Sequence, residues 1–150
     1  MQQTLLFIKL TTLIFLFNIN SFAPTPSGGV VQDVLSETNQ FRRSKGLGEL
    51  ILNSELNSIA QQHSADMASG RVGFGHSGFE KRNAMAKRKI SIRSFGENVA
   101  YGATSGKDVV KMWKNSSGHR KNLLGKYKYI GIGIAKDKKG RIFYTQVFAG

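Results

Sequence analysis

The sequence predicts an α+β domain, and three observations carry that reading. Apolar residues recur at helical spacing through the first half of the chain. Near the C-terminal end they alternate instead, in two runs joined by a turn signal. Hydrophobic residues make up 40% and aromatics 10%, enough for a packed core despite 22 Lys plus Arg against 9 Asp plus Glu. Helices followed by a terminal hairpin build a layered α+β domain, and 150 residues is about one domain. Cysteine is absent, which excludes a disulfide scaffold and any thiolate metal cluster. The apolar content excludes a disordered polycation.

Residues 1–23 read as a secretory signal. Leu5 to Phe17 is rich in Leu, Ile and Phe, and Ser21-Phe22-Ala23 ends in the small residues that signal peptidase prefers. The run from Leu10 to Phe17 is far short of the roughly 20 residues that span a bilayer. Pro24 to Gly29 reads as a short disordered leader, and residues 30–150, with no repeat or second linker, as one domain.

Val30, Val31, Val34, Leu35 and Phe41 share a helical face, and Gly46 suits the left-handed residue that ends a helix. Ser54 is placed to cap a second helix, whose stripe of Leu56, Ile59, Ala60, His63 and Met67 closes at Gly70. Arg71 to Tyr101 is glycine-punctuated with little periodicity and reads as a long loop, where function tends to sit. Ser105 caps a third helix from about Lys107 to Trp113, and Ser116 or Ser117 a short turn through Leu124. Tyr127 to Ala135 and Arg141 to Phe148 alternate as strands around Asp137-Lys138-Lys139-Gly140, which is hairpin chemistry. Gly131 and Gly133 leave one face of the first strand bare, so something comes close there, most simply a helix or backbone, with a ligand as the alternative.

The inventory for chemistry is three histidines and nine carboxylates. His63 lies on the second helix's apolar stripe and reads as a packed histidine with one satisfied ring nitrogen. His76 sits among glycines that expose or aim its ring. His119 opens a helical turn, whose N–H groups disfavour the protonated ring. Glu97 is the lone carboxylate between Glu80 and Asp108, surrounded in sequence by basic residues.

Ordered along the chain are Ala60-x-x-His63-Ser64, Phe74-x-His76, Gly96-Glu97-Asn98-Val99-Ala100, Trp113-x-Asn115-Ser116-x-Gly118-His119-Arg120-x-Asn122-Leu123-Leu124, and Ile130-Gly131-Ile132-Gly133 with Tyr144-Thr145-Gln146-Val147-Phe148. This arrangement resembles the CAP superfamily of cysteine-rich secretory, antigen 5 and pathogenesis-related 1 proteins, in its cysteine-free SCP-like branch. The resemblance runs from about Val34 to Phe148. It implies a three-layer α-β-α sandwich with a central antiparallel sheet, and a cleft holding His76, Glu97 and His119. From the residues themselves, Arg120 after His119 is placed either to approach Glu97 or to point to solvent, and Ser116 to donate a hydrogen bond beside the cleft. Ser116 stands where many animal and plant members carry a second glutamate, so the implied site is an incomplete tetrad. Two imidazoles, His76 and His119, are the implied metal ligands, for zinc or another divalent cation held weakly.

A histidine pair with Glu97 as general base is the arrangement of a metal-dependent hydrolase. The chain has no HExxH helix, GxSxG elbow or cysteine nucleophile. The preferred reading is therefore a secreted, extracellular, non-enzymatic binding protein whose ligand is a lipid or sterol, as in some relatives. The alternative follows from the charge: Lys81 to Arg93 holds six basic groups and no acid, and Lys126, Lys128, Lys136, Lys138, Lys139 and Arg141 form a second group. These suit an anionic membrane or a sulfated glycan. No nucleic-acid motif is present.

Overall fold

The computed structural model describes residues 26–150; the expected signal segment lies outside the described residues. In chain order the elements are α1 (Pro26–Arg43), β1 (Ile51–Leu52), α2 (Ser54–Ala68), α3 (Phe79–Lys89), β2 (Phe95–Tyr101), α4 (Gly106–Asn115), α5 (Ser117–Leu123), β3 (Tyr129–Lys136) and β4 (Ile142–Ala149). The strands form one sheet in the order β1-β3-β4-β2, antiparallel except for β1, which runs parallel to β3.

The alternation of β3 and β4 separates two cores. Ile130, Ile132, Tyr144 and Phe148 pack with Val34 of α1 and Val109, Val110 and Trp113 of α4. On the other face Val147 and Ala149 meet Leu56, Ile59 and Ala60 of α2 and Ala86 of α3. Gly131 and Gly133 belong to this second face, and the expected close approach is α2 itself. A Cβ on Gly131 would lie 2.2 Å from the backbone carbon of Leu56, and one on Gly133 2.2 Å from that of Ala60. Ser64 completes the contact, donating to the Gly133 carbonyl at 2.9 Å and accepting from the Thr145 hydroxyl at 2.8 Å.

Both sheet edges are closed by side chains. Beyond the two residues of β1, Asn57 Oδ1 accepts from the Ile132 N–H and Gln61 Oε1 from the Ile134 N–H, each at 2.9 Å. On the outer edge of β2, the Glu97 carbonyl accepts from Asn122 Nδ2 at 2.9 Å and the Val99 carbonyl from Trp113 Nε1 at 3.2 Å. Backbone groups that would otherwise template another strand are thereby satisfied.

Four expectations need correction. Helix α1 begins at Pro26, so Pro26 to Gly29 is its first turn rather than part of a leader; proline at the start of a helix loses no internal hydrogen bond. The cap of α2 is Asn53, whose side chain accepts from the Glu55 and Leu56 N–H groups, and Ser54 is the first helical residue. The sheet is mixed through β1, although its three long strands are antiparallel as expected. Arg71 to Tyr101 is not one loop: it contains α3 and β2. Helix α3 buries only Arg82 and Ala86, so it has no apolar stripe to read. Strand β2 buries Glu97 and Asn98 side by side, which breaks apolar alternation.

Replacing Gly133 by alanine is expected to force α2 off the sheet. Overpacking of this kind costs about 3 kcal/mol, a fall in melting temperature on the order of 10 °C. Thermal unfolding followed by circular dichroism checks it, with Gly48→Ala, where an added Cβ meets nothing within 4 Å, as the control.

Candidate functional site

Strand pleating sends Glu97 and Asn98 to opposite faces of the sheet. The Glu97 side chain is fully buried and takes a two-pronged ion pair from Arg82 of α3: Nε donates to Oε2 at 2.6 Å and Nη2 to Oε1 at 2.8 Å. His76 Nδ1 lies 2.9 Å from Oε1, donating to the carboxylate. The remaining Arg82 nitrogen, Nη1, donates to the Ser77 carbonyl at 2.8 Å, so the same guanidinium also shapes the loop that carries His76.

His63 enters this cluster from α2. Its Nε2 lies 2.8 Å from the Gly75 carbonyl and 3.9 Å from Glu97 Oε1. A carbonyl only accepts, so Nε2 carries the proton and a neutral ring leaves Nδ1 bare. Burial lowers the His63 pKa from its ordinary value, the Gly75 hydrogen bond opposes that shift, and the nearby Arg82 charge adds to it. The packed histidine with a satisfied nitrogen expected from sequence is present, and it also borders the site.

On the other face, Asn98 Nδ2 donates to the His119 carbonyl at 3.2 Å, while Asn98 Oδ1 accepts from Asn122 Nδ2 at 2.9 Å. Gln146 joins them from β4 and donates to Thr38 of α1 at 2.9 Å. This polar chain fixes the start of α5, the helix that carries His119. The His119 pKa is lowered by burial first and by the charge of His76 second. The expected direction holds, but burial is the leading cause rather than helix N–H groups.

His119 and Ser116 line a groove of about 480 Å³ with Phe74, Tyr101, Met112 and Trp113. Phe74, Tyr101 and Met112 are 51%, 45% and 47% exposed, an unusual concentration of solvent-facing apolar surface. Arg120 is not in the site: it is exposed and donates to the Lys114 carbonyl at 3.0 Å, across the α4–α5 junction. The arginine that reaches Glu97 is Arg82, which sequence reasoning missed. The available signal was the lone acid itself, since a buried carboxylate amid basic residues requires one of them as partner.

The donor set does not fit a metal centre with three protein ligands. Both Glu97 oxygens are engaged, His63 Nε2 is taken by Gly75, and no group of three His, Asp or Glu residues placed to hold an ion occurs among the described residues. The enclosed Glu97 carboxylate presents no lone pair to the cleft, so nothing supports it as a general base. It acts instead on His76. By accepting from Nδ1 it turns the opposite nitrogen, Nε2, outward on a half-exposed ring.

Two outcomes follow. Arg82→Met leaves a buried carboxylate unpaired and is expected to cost about 3–5 kcal/mol in urea unfolding; Arg82→Met with Glu97→Gln recovers most of that loss. Acidification is expected to destabilise the fold. His63 and His119 bind protons less readily folded than unfolded, where their ordinary value is 6.5. The unfolded chain therefore takes up more protons as pH falls through that value, and stability declines below it. Urea midpoints at pH 8 and pH 5 check this, and His63→Gln flattens the dependence.

Comparison with known proteins places these features. The family model for the cysteine-rich secretory protein family, CAP, matches residues 35–148. The protein YkwD of Bacillus subtilis strain 168 is 34% identical over 140 residues, covering 89% of this chain and 52% of YkwD. The membrane protein YlbC of the same organism is 32% identical over 121 residues, 78% of this chain and 33% of YlbC. The chain thus spans about half the length of one curated relative and a third of the other. Among solved structures, an extracellular SCP-domain protein from Bacillus anthracis superposes with a TM-score of 0.70 at 30% identity, covering 82% of this chain and 40% of that one. An outer surface protein of Borrelia burgdorferi superposes at 0.73 with 21% identity, covering 83% and 95%, a likeness of fold. No helix among the described residues is long and apolar enough to cross a membrane. The match over residues 35–148, with the α-β-α layering and Glu97 of Gly96-Glu97-Asn98 at its centre, establishes that the chain belongs to the CAP family in its cysteine-free, SCP-like form.

Proposed function

We propose that this chain is a secreted, non-enzymatic binding domain that takes a lipid or sterol in the groove beside His119. The observation that carries this reading is the groove itself. About 480 Å³ lies within the range of small-molecule sites. Its walls are mainly apolar, with three large side chains facing solvent, and Ser116 and His119 supply a few polar points for a hydroxyl or carboxyl head. Lowering of the His119 pKa favours the neutral ring, which suits hydrogen bonding to an uncharged head. Secretion is supported by the apolar segment within residues 1–23 and by relatives described as extracellular or outer-surface proteins.

One observation favours a subordinate role for a divalent cation. The His76 ring is oriented by a carboxylate, as histidine ligands commonly are. Two imidazoles with water completing the shell describe a weak, exchangeable zinc contact.

The ligand reading is tested by titration with a fluorescent sterol and a fluorescent fatty acid. Saturable binding to at least one is expected, and Phe74→Ser with Met112→Ser is expected to weaken it about tenfold or more, a loss of about 1.4 kcal/mol. The absence of saturable binding to either probe overturns the reading. For the cation, calorimetric zinc titration is expected to show weak heats that disappear in His76→Ala/His119→Ala; heats unchanged in that variant remove the metal role.

A further inference from the structure

The groove is one end of a longer face. Its walls Phe74 and Tyr101 also border a neighbouring hollow of about 380 Å³ that reaches Met67, Phe143 and Arg141. Met67 and Arg141 in turn border a third hollow, of about 470 Å³, which includes Lys138 and Lys139 of the β3–β4 turn. The rings pack in series along this path. Phe74 meets Tyr101 edge-on at 4.8 Å, Tyr101 stacks on Phe143 at 5.7 Å, and the Arg141 guanidinium lies 5.8 Å over Phe143. One half of the face is therefore aromatic and the other cationic.

The charge on this face is available. Asp137 is spent locally: Oδ1 accepts from the Lys139 and Arg141 N–H groups and Oδ2 from Arg141 Nε. Lys138 and Lys139 are exposed and form no ion pair among the described residues. The α3 cluster, more prominent in sequence, is partly consumed, since Arg82 is buried on Glu97 and Lys89 pairs with Glu55 at 2.6 Å.

We propose that this face docks the domain on an anionic phospholipid bilayer. Exposed Phe74, Tyr101 and Met112 are side chains suited to the apolar-to-wet boundary of a membrane, and the lysines of the turn reach headgroups with their stems lying along apolar surface. A sulfated glycan would use the lysines but leave Phe74 and Met112 without an apolar partner. The proposal goes beyond the groove ligand and stands whether or not the groove binds one.

The test is co-sedimentation of the chain from Pro24 onward, which contains every described element and excludes the apolar segment of residues 1–23. The vesicles are phosphatidylcholine alone and an equal mixture with phosphatidylglycerol. Binding is expected on the mixed vesicles and is expected to be lost in high salt. Lys138→Ser/Lys139→Ser is expected to reduce partitioning roughly 30-fold, the equivalent of about 1 kcal/mol per lysine, and Phe74→Ser to reduce it further. Lys87→Ser/Arg88→Ser on α3 is expected to change it by no more than about twofold. Circular dichroism and binding of a soluble fluorescent sterol or fatty acid should be unchanged in the lysine variant, which separates loss of docking from loss of fold or of the groove. Equal binding to neutral vesicles, retention of binding in the turn variant, a larger loss in the α3 variant, or retention on heparin without vesicle binding each overturns the assignment.

Discussion

A carboxylate buried without solvent determines much of what surrounds it. Desolvation makes an isolated Glu97 untenable, so the fold must bring it a cation in good geometry and satisfy what remains of its hydrogen-bonding capacity. Arg82 supplies the cation through two nitrogens and His76 the further donor. Meeting that demand places α3, an otherwise polar helix, against the sheet, and it shapes the loop from Gly75 to Gly78 through the Ser77 carbonyl. The orientation of the candidate site is thus a by-product of neutralising one acid. The same demand explains why Glu97 is better understood as the group that aims His76 than as a base or ligand in its own right.

The second constraint is the sheet edge. Because Glu97 and Asn98 are neighbours in β2, one faces the α2–α3 layer and the other the α1–α4–α5 layer. The site consequently wraps around the edge strand, and no single layer holds it. Asn98, Asn122, Gln146 and Thr38 carry the second side, linking β2 to α5, β4 and α1 through buried hydrogen bonds. Their satisfaction matters more than their number, since an unpaired amide in that position would cost as much as the network contributes. Between these two polar centres the apolar groove opens beside the strand, with His119 at its rim.

Legibility in the sequence followed burial. The helices with apolar stripes, the alternating hairpin strands and the bare glycine face were readable because each buries hydrophobic atoms at a fixed period. Gly131 and Gly133 indicated a close approach by a helix, backbone or ligand, and the structure places α2 there. Helix α3 and strand β2 were unreadable for the opposite reason: they are held by Arg82, Glu97 and Asn98, whose burial depends on partners far away in sequence. His76, Glu97 and His119 were found as motif residues, yet motifs did not show that Arg82 rather than Arg120 meets the acid, or that His63 belongs to the same cluster. Charge was the least transferable signal. The basic run on α3 is partly neutralised, with Arg82 held by Glu97 and Lys89 by Glu55, whereas Lys138 and Lys139 of the turn stand beside the aromatic face.

The central claim is that Glu97 is held by Arg82 as a permanent buried ion pair, and proton exchange at the Arg82 Nε–H reads it directly. In a nitrogen-15 spectrum of the folded domain at mildly alkaline pH, the Arg82 Nε–H signal is predicted to persist, with that of buried Arg42, when exposed arginine signals have exchanged away, and, unlike the Arg42 signal, to shift or vanish in Glu97→Gln. An Arg82 signal that exchanges as fast as those of Arg88 and Arg120 would contradict it, and with it the assignment of Glu97 as the group on which the site is built.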